Sequence, residues 1–401
     1  MSEQERSRGP LAGLVVVDLS RALAGPHAGM MLGDLGARVI KVESPGGDDS
    51  RGWGPPFLPG SDGREHASYF LSCNRNKESI AIDLKADDGR ALLGRLVARA
   101  DVLIENFRPG VLDRLGFSVP ELHEINPGLV ILSITGFGHD GPEGSRPGYD
   151  QIAQGEGGVM SVTGPSRDQP TRVGLPVGDI LAGMYGAFGV LAALRERDLT
   201  GKGQVVRTSL LAAVVGAHAY HGTTYTAAGE VPEPTGNYHP SICPYGLYRA
   251  ADGFVQIAVG SDALWQRMAP AFGLDRPEWA LNRERVRDHD AVNAAVDAAF
   301  SRQTSSEVLV TLASLGVPAG KVRDFAEVYT WEQTLSQGLL LEVEHAALGR
   351  VKLPGPPLRF ETDGRDTGRA EHLAPPLLDQ HGEAIRRWLD EEPGAADPAA
   401  D

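Results

Sequence analysis

Short apolar runs punctuate the first third of the chain: LVVVDL (14–19), RVIKVE (38–43), DVLIENF (101–107) and LVILSIT (129–135). Helical patterns separate them, among them DDGRALLGRLVARA (87–100). Apolar runs spaced by helices read as parallel strands buried on both faces. The pattern therefore predicts a doubly wound, Rossmann-like α/β domain. Such sheets bind ligands beyond the carboxyl ends of their strands. The runs ending at Leu19, Glu43 and Phe107 open there into Gly, Pro or Arg segments, which marks that edge as the place for a site.

After residue 230 the pattern changes. VPEPTGNYHPSICPYG (231–246) reads as loop, and YGLYRAADGFVQIAVG (245–260) as a β-hairpin with a tight turn at Asp252-Gly253. Helical patterns at 262–273 and 290–314 complete a smaller α+β domain. The expected layout is a large α/β domain over 10–225, the small domain over 226–330, and a return to the large domain over 331–390. Residues 1–9 and the acidic EEPGAADPAAD end (391–401) read as disordered tails.

Composition narrows the function. The formal net charge of -15, with 38 Lys and Arg scattered along the chain, excludes a basic nucleic-acid surface. An anionic cofactor must then be met by a few local cations. Cys73 and Cys243 have neither disulfide-framework nor zinc-site spacing, and no metal is expected. Without an apolar leader or a run of 18 apolar residues, the expectation is a cytoplasmic protein with no membrane partner.

Three motifs carry chemistry. GFGHDG (136–141) has the form of a dinucleotide fingerprint, but PEGSRPG follows it, and a Pro-Gly loop cannot be the phosphate-binding helix that the fingerprint needs. No NAD is expected. ENFRPGVLDRLG (105–116) puts Asn106, Phe107 and Arg108 at a strand's carboxyl end and Arg114 in a short helix; guanidinium suits phosphate and an aromatic ring can pack beside an adenine. Asp179, in RVGLPVGDILAGMYGAFGVLAAL (172–194), lies at a Gly-rich turn before a long apolar helix. Backbone N–H donors there would hold its carboxylate ionised for attack on an acyl group; the plainer reading is a helix N-cap.

These segments, with 11–45, SCNRNKESIAIDLK (72–85), GYDQIAQGEGGVMSVTG (148–164), LGVPAGKV from Leu315 and HAALGRVKLPGPPLRF from His345, resemble the family III coenzyme A transferases of the CaiB/BaiF type. The resemblance implies acyl-CoA as substrate and Asp179 as the nucleophile. It places coenzyme A contacts at Arg21, Leu23, Ala24, Ile82, Asp83, Leu84, Lys85, Asn106, Phe107, Arg108 and Arg114, and an acyl pocket at Tyr149, Asp150 and His239. Oxyanion donors are expected near Gly178 and at 155–158. An interlocked homodimer is also implied, with the site between the large domain of one chain and the small domain of its partner, closed by the loop near 234–244.

Within the family, SPGGDDSRGWGPPF (44–57), YFLSCNRNKESIAID (69–83) and HPSICPYG (239–246) are most similar to the succinyl-CoA:dicarboxylate, glutarate-type transferases. Arg75, Lys77, Arg172, His239 and Tyr149 are candidates for the second carboxylate of a dicarboxylate acceptor. Formyl-CoA transferases carry Gln at Leu23, Arg at Ser44 and a glycine lid, so a formyl or oxalyl substrate is not expected. The related acyl-CoA racemases carry His at Tyr149, and without it two-base racemisation lacks a partner; His139-Asp140 lies too far upstream to replace it. The alternatives are an acyl-CoA racemase or isomerase and a non-transferring acyl-CoA binding protein.

Overall fold

The structure, a computed structural model, describes residues 9–391. The tails read as disordered therefore lie outside the described residues, apart from Gly9 and Glu391. Contacts divide the chain into two compact units. The first holds the described residues up to Gly158, Val173–Gly222 and those from Gln333 on; the second holds Val159–Arg172 and Thr223–Glu332. Residues 159–172, placed by pattern in the large domain, thus make their contacts with the second unit.

The first unit is built on six parallel strands: β1 (Val15–Asp18), β2 (Arg38–Glu43), β3 (Lys77–Ala81), β4 (Val102–Glu105), β5 (Val130–Thr135) and β6 (Val205–Ser209). Their order is β3-β2-β1-β4-β5-β6. This is a doubly wound arrangement, and the direction of winding reverses between β1 and β4. Alternation along the strands sends Val17, Ile40, Ile80, Leu103 and Ile131 to one face. There they pack with Leu93, Leu96 and Val97 of α2 (Asp87–Ala98) and with Ile385 and Leu389 of the helix Gly382–Asp390. Each such buried aliphatic side chain contributes about 1.5–3 kcal/mol.

The other face carries α1 (Ala24–Asp34) and α4 (Val177–Thr200), with α3 (Asp150–Glu156) and α5 (Leu210–Gly216) beside α4. By composition α4 is long and apolar enough to cross a membrane, which the sequence reading overlooked because glycines interrupt the apolar run. Those glycines instead allow close packing on α1 and on the sheet. A Cβ at Gly183 would stand 2.7 Å from the Ala24 carbonyl oxygen, at Gly186 2.9 Å from Leu132, and at Gly189 2.5 Å from Val206.

β3 and β6 carry no simple apolar run. Lys77, Glu78 and Ser79 interrupt the first, yet Lys77 is buried and paired with Asp18; Arg207 and Thr208 interrupt the second, which lies at the sheet edge.

The second unit has an antiparallel three-stranded sheet of Tyr245–Ala250, Gly253–Ala258 and Ala319–Lys321. Tyr248, Val255 and Ile257 pack there with Trp265, Val296, Phe300 and Leu312. Gly253 already pairs with Ala250, so the hairpin connection is Ala251-Asp252, one residue before the expected turn. The 290–314 pattern is two helices, His289–Phe300 and Ser305–Ser314, because Thr304 caps the second through the Glu307 N–H.

Candidate active site

Two loops face each other where the winding reverses. After β1, residues 19–23 lead into α1; after β4, residues 106–110 lead into the one-turn helix Val111–Arg114. The loop after β1 is held at each residue. Lys41 Nζ donates to the Ser20 carbonyl at 2.9 Å, the Asn106 carboxamide bonds both the Arg21 N–H (2.8 Å) and its carbonyl (2.7 Å), and Asp48 accepts from the Ala22 N–H at 3.3 Å. Ala22 needs this support, since its φ of 67° is costly for a residue with a Cβ.

Beneath the loop lies a buried ionic platform. Lys77 pairs with Asp18 and Lys41 with Asp48, both at 2.8 Å, and Arg51 clasps Glu43 at 2.7 Å. Burial would raise the Asp18 pKa, but Lys77 and Lys41 outweigh it and hold the carboxyl below its usual range.

A cleft of about 630 Å³ opens above these loops. Arg21, Leu23, Ala24, Ile82, Asp83, Leu84, Lys85, Asn106, Phe107 and Arg108 line it, together with Tyr149 and Asp179. Residues spread over nearly 160 positions of sequence thus share one wall system. Lys85 and Arg108 have no carboxylate partner among the described residues, which leaves two cations for an anionic ligand. Arg21 lies 5.5 Å from the Phe107 ring centroid and 3.7 Å from Asp49.

Several assignments change. Arg114 is the last residue of a single helical turn, with its guanidinium near Gly110, and does not line the cleft. Asn106 lines the cleft, but its polar atoms are engaged with the Arg21 main chain. Arg75 and Lys77 are not available to a substrate: both are buried, Arg75 against Asp34 (2.8 and 2.5 Å) and Lys77 against Asp18. Isolated residue types could not reveal this, because each cation's partner lies about 40 to 60 positions away. Asp150 is not among the residues that line the cleft; its carboxylate meets the Gly178 N–H instead. His239 belongs to the second unit, where its Nδ1 accepts from the Ser241 N–H at 3.0 Å.

Asp179 is the third residue of α4, inside the first turn and not before it. No hydrogen bond holds its carboxylate among the described residues, and burial followed by the charge of Asp150 pushes its pKa up to about 7. The expected donors are occupied as well. The Gly178 N–H donates to Asp150 Oδ1 at 2.8 Å, and those of Gly157 and Gly158 donate to Ala153 and Gly155.

Among the cleft residues that sequence reasoning missed are Trp53 and Tyr69, which meet edge to face at 4.9 Å. Burial, then the charge of Asp179, raises the Tyr69 pKa to about 12, so its hydroxyl stays protonated near the carboxylate. Only the third dimension joins them to Asp179. His139 Nε2 meets Ser133 Oγ at 2.7 Å, and that hydroxyl donates to Glu105, whose other oxygen accepts the Phe107 N–H at 2.8 Å. The GFGHDG stretch runs on as loop, with the next helix beginning at Asp150. Among the described residues no group of three His, Cys, Asp or Glu side chains could hold a metal ion.

Comparison with known proteins places this geometry. The family model for CoA-transferase family III matches residues 11–382. A succinate–glutarate CoA-transferase of Agrobacterium fabrum is 38% identical over 94% of this chain and 98% of its own. An acetyl-CoA:oxalate CoA-transferase of Acetobacter aceti is 37% identical over 95% and 96%. Among solved structures, a CaiB/BaiF family protein from Brucella suis superimposes with a TM-score of 0.85 at 40% identity, covering 96% of this chain and all of that one. With a cleft at the winding reversal that carries Lys85, Arg108 and a half-buried Asp179, and with a match along nearly the whole chain, this protein is an enzyme of CoA-transferase family III, moving coenzyme A between an acyl-CoA and a carboxylic acid.

Proposed function

We propose that the enzyme transfers coenzyme A from succinyl-CoA to a dicarboxylic acid through covalent intermediates on Asp179. The observation that carries this reading is the place of Asp179, on the same cleft wall system as Arg21, Lys85, Phe107 and Arg108. Those four suit the phosphates and adenine of coenzyme A, with Ile82, Leu84, Leu23 and Ala24 as apolar lining. Similarity to a glutarate transferase supports the acceptor class; the equally similar oxalate transferase gives no ground for excluding oxalate.

The steps balance without a net proton. An Asp179 oxygen attacks the donor thioester, the C–S bond breaks, and an aspartyl anhydride and CoA thiolate form. The thiolate attacks the aspartyl carbonyl, its C–O bond to the donor acyl group breaks, and the donor acid leaves an aspartyl-CoA thioester. The acceptor carboxylate attacks that thioester and releases the thiolate. The thiolate then attacks the acceptor carbonyl of the second anhydride, giving the new acyl-CoA and the original carboxylate. Each step exchanges bonds of similar energy, which is the advantage of covalent catalysis here. A carboxylate is required because only its acyl derivative is an anhydride, reactive enough to take coenzyme A back.

The working form is read as an interlocked cytoplasmic homodimer. Support comes from α4, whose Met184, Tyr185, Phe188 and Leu199 are exposed, and from two buried, unpaired cysteines.

Intact-protein mass spectrometry after mixing with succinyl-CoA and quenching tests the mechanism. The wild type gains a coenzyme A adduct that Asp179→Ala lacks. Acyl-CoA bound by both proteins with no adduct on either would sink the transferase mechanism in favour of a binding or isomerising protein.

A further inference from the structure

The segment that delivers Asp179 is moored to α3 by two side chains. Gln154, fully buried, accepts the Val173 N–H at 2.8 Å and donates to the Leu175 carbonyl at 3.3 Å. Its amide also donates to Asp150 Oδ2 at 2.8 Å. The other Asp150 oxygen accepts the Gly178 N–H at 2.8 Å. That N–H belongs to the residue next to Asp179 and would otherwise be an unpaired donor of the α4 N-terminus. Gly178 admits this approach, since a Cβ there would stand 3.1 Å from the same oxygen.

This geometry has an electrostatic consequence. A helix N-terminus ordinarily stabilises an anion, through free N–H groups and the helix dipole. Here one of those groups is already bound by a carboxylate, so a second carboxylate at Asp179 meets a like charge instead. The titratable groups facing Asp179 are Asp150 from α3 and Tyr69 from the short helix Ser68–Leu71. No cation among the described residues acts on it.

We propose that Asp150 is the positioning residue of the nucleophile, fixing the entry of α4 through the Gly178 N–H and placing a negative charge behind Asp179, so that the pair sets the pH range of the reaction. It does not touch substrate. Burial comes first and the charge of Asp150 adds to it, so Asp179 stays basic, which raises its nucleophilicity once ionised, at the expense of activity in acid. This rests on Asp179 being the nucleophile.

The test is the pH profile of kcat/KM for succinyl-CoA with a dicarboxylate acceptor, on full-length wild type, Asp150→Asn, Asp150→Ser and Asp150→Glu. The adduct on Asp179 is followed in parallel. The wild-type acid limb is expected near pH 7. Removing the charge moves that limb down by about one pH unit, and Asp150→Glu restores it. An unmoved limb with activity lowered equally at every pH overturns the proposal, as does loss of folded protein in both neutral variants, because either shows a purely structural role. Failure of the underlying reading looks different: the wild type itself then carries no adduct on Asp179.

Discussion

At the level of single residues, Asp179 illustrates a group that its surroundings destabilise. Its pKa of about 7 stands well above the usual 3.8, so the folded protein binds a proton that the unfolded chain has lost across that interval. Stability therefore falls as pH rises from about 4 to 7, because the folded state binds more protons than the unfolded one. Asp179→Asn removes the effect. The variant should melt higher than wild type at pH 8, with the difference vanishing below about pH 4, as read by calorimetry in matched buffers. Equal melting shifts at both pH values would show that the carboxyl is ionised without cost. Asp179 was legible from its motif, but its protonation was not: the nearest charge, Asp150, is 29 positions away and no local pattern couples them.

Among elements, α4 carries the largest conflict between local preference and packing. Three glycines in its interior each cost about 1 kcal/mol relative to alanine. Helix propensity alone would make Gly183→Ala stabilising. Instead the new Cβ would meet the Ala24 carbonyl oxygen at 2.7 Å, a backbone atom that cannot rotate away. We expect Gly183→Ala to destabilise by about 1–3 kcal/mol, measured by denaturant titration, and to weaken acyl-CoA binding, because Ala24 begins α1 beside the cleft. A variant as stable as wild type would mean that α1 shifts freely. The strands show the limit of pattern reading in another way. β1 and β4 stand out because all but the last residue of each is apolar, whereas β3 hides behind Lys77 and Ser79, which are buried against Asp18 and Glu43.

For the whole molecule, the exposed face of α4 bears on assembly. Tyr185 and Phe188, 42% and 72% exposed, lie one turn apart on an apolar helix, and Leu199 is 67% exposed. Patches of this kind mark interaction surfaces. Light scattering should give twice the chain mass of 42.6 kDa, and Phe188→Glu should shift the species toward that single mass. A wild-type monomer would exclude the interlocked assembly.

By itself the sequence determined the α/β class and the edge of the sheet where the cleft opens, and its resemblance to a family offered Asp179 and the segments around Arg21, residues 82–85 and Phe107 that the fold brings to one cleft. The first two depend on short-range patterning, the rest on motifs whose residues are adjacent in the chain. Tertiary structure alone decided that Arg75 and Lys77 are buried struts, that Asn106 clamps the Arg21 main chain, that Trp53 and Tyr69 join the cleft, and that Asp150 stands behind Asp179. The physical reason is the same throughout. Whether a charged side chain serves the ligand or the scaffold depends on its desolvation and on the partner it meets, and both are fixed by residues tens of positions away.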